Sequence, residues 1–279
     1  MNIAVHASRT ATAAGVTFAL CAVSAASQTL DDSIYKSRHV LTGGLAYQTT
    51  DFTIAAGVDG NPGVSLKLDD LEIDDRDSSY YLEYKYRLGE RWSIIAGTYQ
   101  FSGSGSKQTE RTIDYDGVEF TAGTTIQSQL EVDAYVVDLV YQVFARDNFE
   151  IMLGGGVHAL DLGASIAGQV SIDDTSSEFR RASATVLAPV PNLRLTALWA
   201  LTDRWALRLN SGWLSANIDE YEGGFLYGHL RASYEITDRW GLSLGYQYTD
   251  VDVTQNRRAG EISFDVQLAG PTLTTSYAF

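Results

Sequence analysis

The chain is poor in cysteine, proline, basic residues and long apolar runs, and each shortage excludes a class of protein. Its 279 residues include one cysteine and four prolines, and 20 Lys and Arg stand against 35 Asp and Glu. The resulting net charge of -15 leaves no basic surface for nucleic acid. After the N-terminal region no stretch of about 18 residues is wholly apolar, so no membrane-spanning helix is predicted there.

The first 26 residues have the pattern of a secretory signal peptide. Arg9 supplies the positive region, residues 11–23 form a small apolar stretch, and Ser-Ala-Ala at residues 24–26 suits a cleavage site. The only cysteine, Cys21, lies inside this segment. Cleavage would therefore leave a mature chain without disulfides, thiol chemistry or a Cys-based metal site.

A signal peptide implies export, and we predict three parts in the chain. Residues 1–26 are the signal peptide, residues 27–38 a loose periplasmic tail, and residues 39–279 one folded domain. Nothing in the last part resembles a linker, and a single β domain of this length is ordinary.

Four short turns organise the folded part. Leu-Thr-Asp-Arg-Trp at residues 201–205 returns as Ile-Thr-Asp-Arg-Trp at 236–240, with looser copies at 88–92 and 145–149. Each turn joins two segments of alternating apolar and polar residues and ends on an aromatic residue, as tight hairpins do. Five longer, mostly acidic loops are predicted at residues 51–77, 102–130, 160–181, 219–223 and 250–260.

Nine connections predict ten antiparallel strands, with eight or twelve as alternatives. Short turns that alternate with long loops are typical of transmembrane up-and-down β-barrels, which have an even number of strands in bacteria. The fold class is therefore all-β, a closed antiparallel barrel. A secreted β-sandwich would show similar alternation, so periodicity alone does not separate the two folds.

Aromatic spacing favours the membrane. Trp205 and Trp213 lie eight residues apart on one face, as do Trp240 and Tyr248. Eight residues of tilted strand rise roughly 20 Å, close to the ~25 Å band between two aromatic girdles. The predicted girdle residues are Trp92, Phe149, Trp205, Trp213, Trp240 and Tyr248.

The chain ends in Tyr277-Ala278-Phe279, and here it resembles outer-membrane β-barrel proteins. The resemblance implies that Tyr277 and Phe279 are read by the barrel-assembly machinery of a Gram-negative bacterium. It also implies an outer-membrane location among lipid and lipopolysaccharide. A group of small porin-like or OmpA-like proteobacterial barrels is similar in three further motifs: Ala188-Pro189-Val190-Pro191, Asp219-x-Tyr221-x-Gly223 and Gly270-Pro271.

Both charge signs occur on the face predicted to point into the barrel. In a ten-stranded barrel this interior is only slightly wider than one that side chains fill. Two interpretations stay open: a paired network that occupies the lumen, because an unpaired buried charge is costly, or a narrow polar pore. The predicted lumen residues are Glu83, Lys85, Arg87, Asp138, Glu150, Arg194, Arg208, His229, Arg231 and Glu235.

No pattern predicts catalysis, a cofactor or a resident metal. His158 and Asp161 form the nearest His–Asp spacing, but a hydrogen-bonded interior histidine is the favoured interpretation. Gly154-Gly155-Gly156 lacks the Gly-Lys-Ser/Thr of a phosphate loop and fits a bend or space for a neighbouring ring. The acidic run at residues 69–77 could hold a divalent cation but lacks EF-hand spacing.

The sequence thus predicts an integral outer-membrane protein that is not an enzyme. The favoured hypothesis is a structural or porin-like barrel with a narrow, polar, largely plugged lumen. An alternative is a surface-binding or adhesion protein that acts through its acidic extracellular loops, and an outer-membrane hydrolase is a third.

Overall fold

The computed structural model describes residues 33–58, 61–67, 76–108, 112–115, 118–173, 176–218, 221–257 and 260–279. The predicted signal peptide and most of the acidic run at residues 69–77 lie outside these ranges. No helix long and apolar enough to cross a membrane occurs within them, a result that does not bear on spanning by strands.

Ten strands close into an antiparallel barrel, and the predicted fold class is confirmed. Neighbours in the ring are neighbours along the chain, and the last strand pairs with the first. The barrel strands are β1 (His39–Val58), β3 (Arg76–Leu88), β4 (Trp92–Gln108), β7 (Thr125–Arg146), β8 (Phe149–Asp173), β9 (Ser176–Ala200), β10 (Trp205–Ile218), β11 (Tyr221–Glu235), β12 (Trp240–Arg257) and β13 (Gly260–Ala278).

Three short strands and one helical turn complete the described fold. β2 (Asn61–Lys67) pairs with the upper part of β1, and β5 (Ile113–Tyr115) pairs with β6 (Val118–Phe120). A single 3-10 turn, Ile34–Lys36, precedes the barrel.

The repeated motif at the short turns has a local cause. The Thr202 hydroxyl accepts hydrogen bonds from the backbone N–H of Arg204 and of Trp205, and Thr237 repeats the arrangement with Arg239 and Trp240. A threonine at this position holds a tight turn through its own side chain. All four short turns lie at the end where β1 begins and β13 ends, called here the turn end.

The long connections are mostly strand, which corrects the predicted loop boundaries. β8 and β9 remain paired from Phe149↔Trp199 to Asp173↔Ser176, through the whole segment expected to be a loop at residues 160–181. At the end opposite the turns, called here the hairpin end, the strands therefore continue as long hairpins.

Side-chain polarity inverts along the strands, and β7 shows it most clearly. Near its middle, Tyr135, Val137 and Leu139 are exposed on the outer face. Towards the hairpin end the exposed positions become Gln127, Gln129 and Glu131, while the buried positions become apolar. The outer apolar band, which suits lipid, thus ends at about Asp133.

The inner face of the hairpin end forms the largest hydrophobic cluster of the described residues. Its members face one another inside the barrel and are almost fully buried. They are Phe101, Phe120, Ile126, Leu130, Val132, Ala134, Leu160, Leu162, Ala164, Ile166, Phe225, Val251, Val253, Phe264, Val266 and Leu268. This apolar core explains why the strands stay ordered beyond the lipid band.

One pair of adjacent barrel strands is hydrogen-bonded over only a short length. β9 and β10 pair only over eight residue pairs, from Ala206↔Ala200 to Trp213↔Leu193. Beyond Leu193, β9 keeps β8 as its paired neighbour, and Pro189 and Pro191 lie on this stretch. Because proline lacks an N–H donor, it suits a strand with one free edge.

Candidate functional site: a charged belt in the lumen

The predicted lumen residues all lie on the inner face of the barrel. Glu83, Lys85, Asp138, Glu150, Arg194, Arg208, His229 and Arg231 are buried, while Arg87 and Glu235 are partly buried near the turn end. The name lumen belt is used below for the eight charged residues Glu83, Lys85, Arg87, Asp138, Glu150, Arg194, Arg208 and Arg231.

Glu83 is the centre of the lumen belt. Arg194 donates from Nη2 to Glu83 Oε2 at 3.1 Å, and the Nη2 atoms of Arg208 and Arg231 lie 3.9 and 3.7 Å from Oε1. Glu83 is on β3 and Arg208 on β10, five strand positions apart in either direction around the ring. The contacts therefore cross the full width of the lumen.

Asp138 extends the network towards the hairpin end. Its carboxylate accepts from Arg194 Nη1 at 2.6 Å and from Asn192 Nδ2 at 3.0 Å, and His158 Nε2 lies 3.8 Å away. His158 thus faces Asp138 and not Asp161, because odd and even residues of β8 point to opposite faces.

Gly156 has no side chain, and this leaves room for the Asp138 carboxylate. A Cβ added at Gly156 would overlap the Val137 carbonyl oxygen and the Asp138 carboxylate. The glycine run was expected to mark a bend or leave space for an aromatic ring. At Gly156 the space is occupied instead by a carboxylate of the paired strand.

Residues 33–38, the described part of the expected tail, correct the prediction that it is loose. Ile34 and Tyr35 are 1% exposed and pack with Leu198, Ala200 and other inner-face residues. The segment is therefore held inside the turn end of the barrel.

Polar contacts fix the same segment. Lys36 pairs with Glu150, which also accepts from Arg87 Nη2 at 3.3 Å. Lys85 donates to the Tyr35 carbonyl oxygen, and the Ser33 hydroxyl donates to Glu235 at 2.6 Å. Glu235 thus contacts the N-terminal segment and, within the described ranges, forms no ion pair with a member of the lumen belt.

His229 lies beside the lumen belt. Its Nε2 is 2.9 Å from Thr272 Oγ1, and its ring makes an edge contact with Tyr81 at 5.8 Å between centroids. Tyr81 in turn lies under the Arg231 guanidinium, 5.8 Å from ring centroid to Cζ.

A small cavity of about 30 Å³ lies between the lumen belt and the apolar core. Glu83 and Arg194 line it on one side, and Tyr81, Tyr99, Tyr227 and His158 contribute most of the remaining polar groups. The lumen is therefore polar at the belt and becomes aromatic, then aliphatic, towards the hairpin end.

The predicted girdle residues lie on the outer face, at two levels. Trp92, Trp205 and Trp240 follow short turns and pack against cross-strand partners Tyr141, Tyr234 and Tyr277 at centroid distances of 4.8, 5.0 and 4.7 Å. Phe149 lies at the same end, whereas Trp213 and Tyr248 lie towards the hairpins.

Turn arginines complete two of these pairs. Arg91 donates to the Tyr141 hydroxyl at 3.0 Å and Arg204 to the Tyr234 hydroxyl at 3.4 Å. These hydrogen bonds raise the pKa of both exposed guanidinium groups, so both arginines stay charged where the barrel meets polar head groups. Phe279 stacks on His39 at 5.2 Å, next to Tyr277.

Several residues of the site gave no signal in the sequence. Tyr35 and Asn192 acquire their roles only through contacts with distant strands, and the Asp138–His158 contact joins positions 20 residues apart. Strand parity with a known register would have found the last one, since Val136 pairs with His158 and Asp138 with Gly156.

No group of three His, Cys, Asp or Glu side chains in the described ranges has metal-site geometry. The acidic run that could bind a divalent cation is mostly outside those ranges, and its cation remains a proposal.

Comparisons with known proteins agree with the fold. The family model of the outer membrane protein β-barrel domain matches residues 14–270. No curated protein matches the sequence.

Solved structures that resemble the chain are outer-membrane proteins. The outer membrane protease OmpT of Escherichia coli shares 11% identity, with 86% of this chain and 97% of that chain covered and a TM-score of 0.56. OprG of Pseudomonas aeruginosa shares 12% identity over 87% and 97%, with a TM-score of 0.35. The toluene transporter TodX of P. putida shares 11% over 86% and 90%, with a TM-score of 0.33. The similarity to OmpT concerns the fold alone.

Proposed function

The chain belongs to the outer membrane protein β-barrel domain family, and from that premise we propose that it is a porin-like barrel whose lumen is closed at rest. Its location is the outer membrane, with the turn end in the periplasm and the hairpins outside. The closing elements of this proposal are the lumen belt and the N-terminal segment.

The convergence of three arginines on Glu83 is the observation that carries the proposal. Arg194, Arg208 and Arg231 reach it from the opposite part of the wall, so an ion on the barrel axis would have to displace these contacts. Buried charges that are paired and hydrogen-bonded also hold their geometry firmly, because separating them exposes an uncompensated charge.

The N-terminal segment supports the same proposal at the periplasmic mouth. Ile34 and Tyr35 fill space between inner-face residues, and the Arg208 guanidinium stacks on the Tyr35 ring at 4.3 Å. The segment and the belt therefore act as two closures in series.

Single-channel recording in planar bilayers tests the proposal. We expect the wild-type barrel to show no steady open level, and a variant with Ile34→Ala and Tyr35→Ala to open intermittently. Adding Arg208→Ser to that variant should increase the unitary conductance. Arg239→Ser, on an exposed turn, is the matched control and should behave as wild type.

A large, steady conductance of the wild-type barrel would overturn closure at rest. Unchanged currents in both lumen variants would instead show that other parts of the chain close the lumen. Heat-modifiability on a gel, run boiled and unboiled, first establishes that each variant has folded into a barrel.

A surface-binding role is the second candidate, and one observation favours it. The hairpin end has a polar outer face over an apolar core, as a soluble domain has. Removal of residues 109–119, which spares the buried Phe120, should then abolish binding of liposome-embedded barrel to polylysine, with heat-modifiability unchanged. Equal binding by the deletion variant would exclude that tip as the contact.

The proposal includes no catalytic step. His158 is 3% exposed and contacts Asp138 and the Phe225 ring, 4.6 Å away between centroids. A protease or lipase activity that is lost in His158→Ala would replace the proposal with an enzymatic one.

A further inference from the structure

Positive charge exceeds negative charge inside the turn half of the barrel. The described inner-face groups there comprise six cationic side chains, Lys36, Lys85, Arg87, Arg194, Arg208 and Arg231, and four carboxylates, Glu83, Asp138, Glu150 and Glu235. Burial of an uncompensated charge is costly, so the location of the excess identifies where a counter-ion would bind.

The excess is concentrated at Arg208 and Arg231. These residues are direct cross-strand partners on β10 and β11, an arrangement in which like charges repel. Arg194 already takes both of the nearby carboxylates, Asp138 at 2.6 Å and Glu83 at 3.1 Å. The distances of 3.7 and 3.9 Å from Glu83 to the other two arginines exceed a hydrogen bond.

Arg231 is fully buried, yet its Nε, Nη1 and Nη2 atoms all lack a hydrogen-bond partner. Buried polar groups in proteins are nearly always paired, and a guanidinium carries five donors arranged to grip an oxyanion. An arginine with no hydrogen bond at any nitrogen, and with only a 3.7 Å ion pair to Glu83 at Nη2, is therefore the strongest single indication of a ligand in the described chain.

Neighbouring polar atoms share this property. Arg208 Nη1 and both amide atoms of Asn210 are buried without hydrogen-bond partners. Asn210 and Arg208 lie on the same face of β10, and their cross-strand partners are His229 and Arg231, respectively. The set is rich in donors and combines two guanidinium groups with an amide.

We propose that a small oxyanion binds in the lumen between Arg208 and Arg231, with Asn210 as a further donor. The complete burial of Arg231 restricts the ligand to a free ion such as inorganic phosphate, since a head group attached to a lipid could not be enclosed. The inference goes beyond the proposed function, because an anion can be held whether or not the lumen conducts.

Equilibrium dialysis of the refolded barrel in a non-ionic detergent against labelled inorganic phosphate, at constant ionic strength in chloride, tests the site. We expect about one phosphate per chain, and at least a tenfold loss of affinity in Arg231→Met, as removal of a charge-assisted hydrogen bond predicts. Arg239→Met, on an exposed turn, should bind phosphate as the wild type does.

Thermal unfolding gives a second readout, and its wild-type measurement does not depend on the variants folding well. Phosphate should raise the unfolding midpoint of the wild type in a saturable way, and the rise should be absent in Arg208→Met or Arg231→Met. Absence of binding to the wild type, or equal binding by both lumen variants, would overturn the proposal. Steady conductance would overturn closure of the lumen and leave this result untouched.

Discussion

At the residue scale, Gly156 leaves the space that the charged side chain of Asp138 occupies. Gly156→Ala should lower the free energy of unfolding by about 1–3 kcal/mol, the usual range for overpacking, because the new Cβ overlaps Val137 and Asp138. Gly228→Ala is the matched control, since a Cβ there meets nothing within 4 Å. Urea unfolding in liposomes, followed by tryptophan fluorescence, measures both. Equal stability of the two variants would show that β8 shifts freely at Gly156.

Glu83 forms ion pairs with three arginines of the lumen belt. Glu83→Gln should lower stability by about 3–5 kcal/mol, because removing one partner of a buried ion pair leaves the other charges uncompensated. Glu90→Gln, on the exposed turn after β3, is the control and should change little. A Glu83→Gln barrel as stable as wild type would mean that the three arginines are neutralised by other groups.

Residue-level reasoning from the sequence worked where strand parity decides. Alternation placed Glu83, Asp138, Arg194 and Arg231 on the inner face without any knowledge of register. It could not pair them, because partners such as Glu83 and Arg194 are 111 residues apart and meet only when the barrel closes. The inward position of Tyr35 was also hidden, since two apolar residues in a short polar segment form no periodic pattern.

At the element scale, adjacent strands of the barrel differ in the length over which they pair. β8 and β9 pair over 24 positions, whereas β9 and β10 pair over eight. Hydrogen-exchange mass spectrometry should show faster exchange in peptides from residues 187–192 and 214–218 than in peptides from 193–200 and 206–213. Each backbone N–H without a paired neighbour lacks the protection of a ladder. Uniform protection across both pairs of segments would contradict this prediction.

The element boundaries were the least predictable part of the fold. Ten strands and four short turns followed from alternation and from the Thr-Asp-Arg-Trp repeats. The sequence predicts loops at the hairpin ends because outward residues there, such as Gln127 and Gln129, are polar and small residues are frequent. Alternation continues there with the opposite sense, and sequence alone does not reveal that the inner face has become apolar.

At the scale of the whole molecule, the polarity inversion sets how deep the barrel lies in the bilayer. Val137→Arg should lower stability by about 2–4 kcal/mol, the cost of a cation on the lipid face near the midplane, because Val137 lies midway between the girdle partner Tyr141 and Asp133. Gln127→Arg, on the same strand and face but beyond the band, should be close to neutral. Unfolding in liposomes measures both, and a similar cost at both positions would show that the band extends past Asp133.

The same inversion makes the protein sensitive to hydrophobic mismatch. Outward-facing acids lie at the upper edge of the apolar band, with Asp133 paired to Asp161, and Asp51 and Asp250 both flanking Gln267. A thicker bilayer would draw this acidic ring into hydrocarbon, whereas a thin one leaves it among head groups. The bacterial outer membrane is thinner than average. The free energy of the inserted barrel is therefore lower there than in a thicker bilayer, which would bury the acidic ring in hydrocarbon.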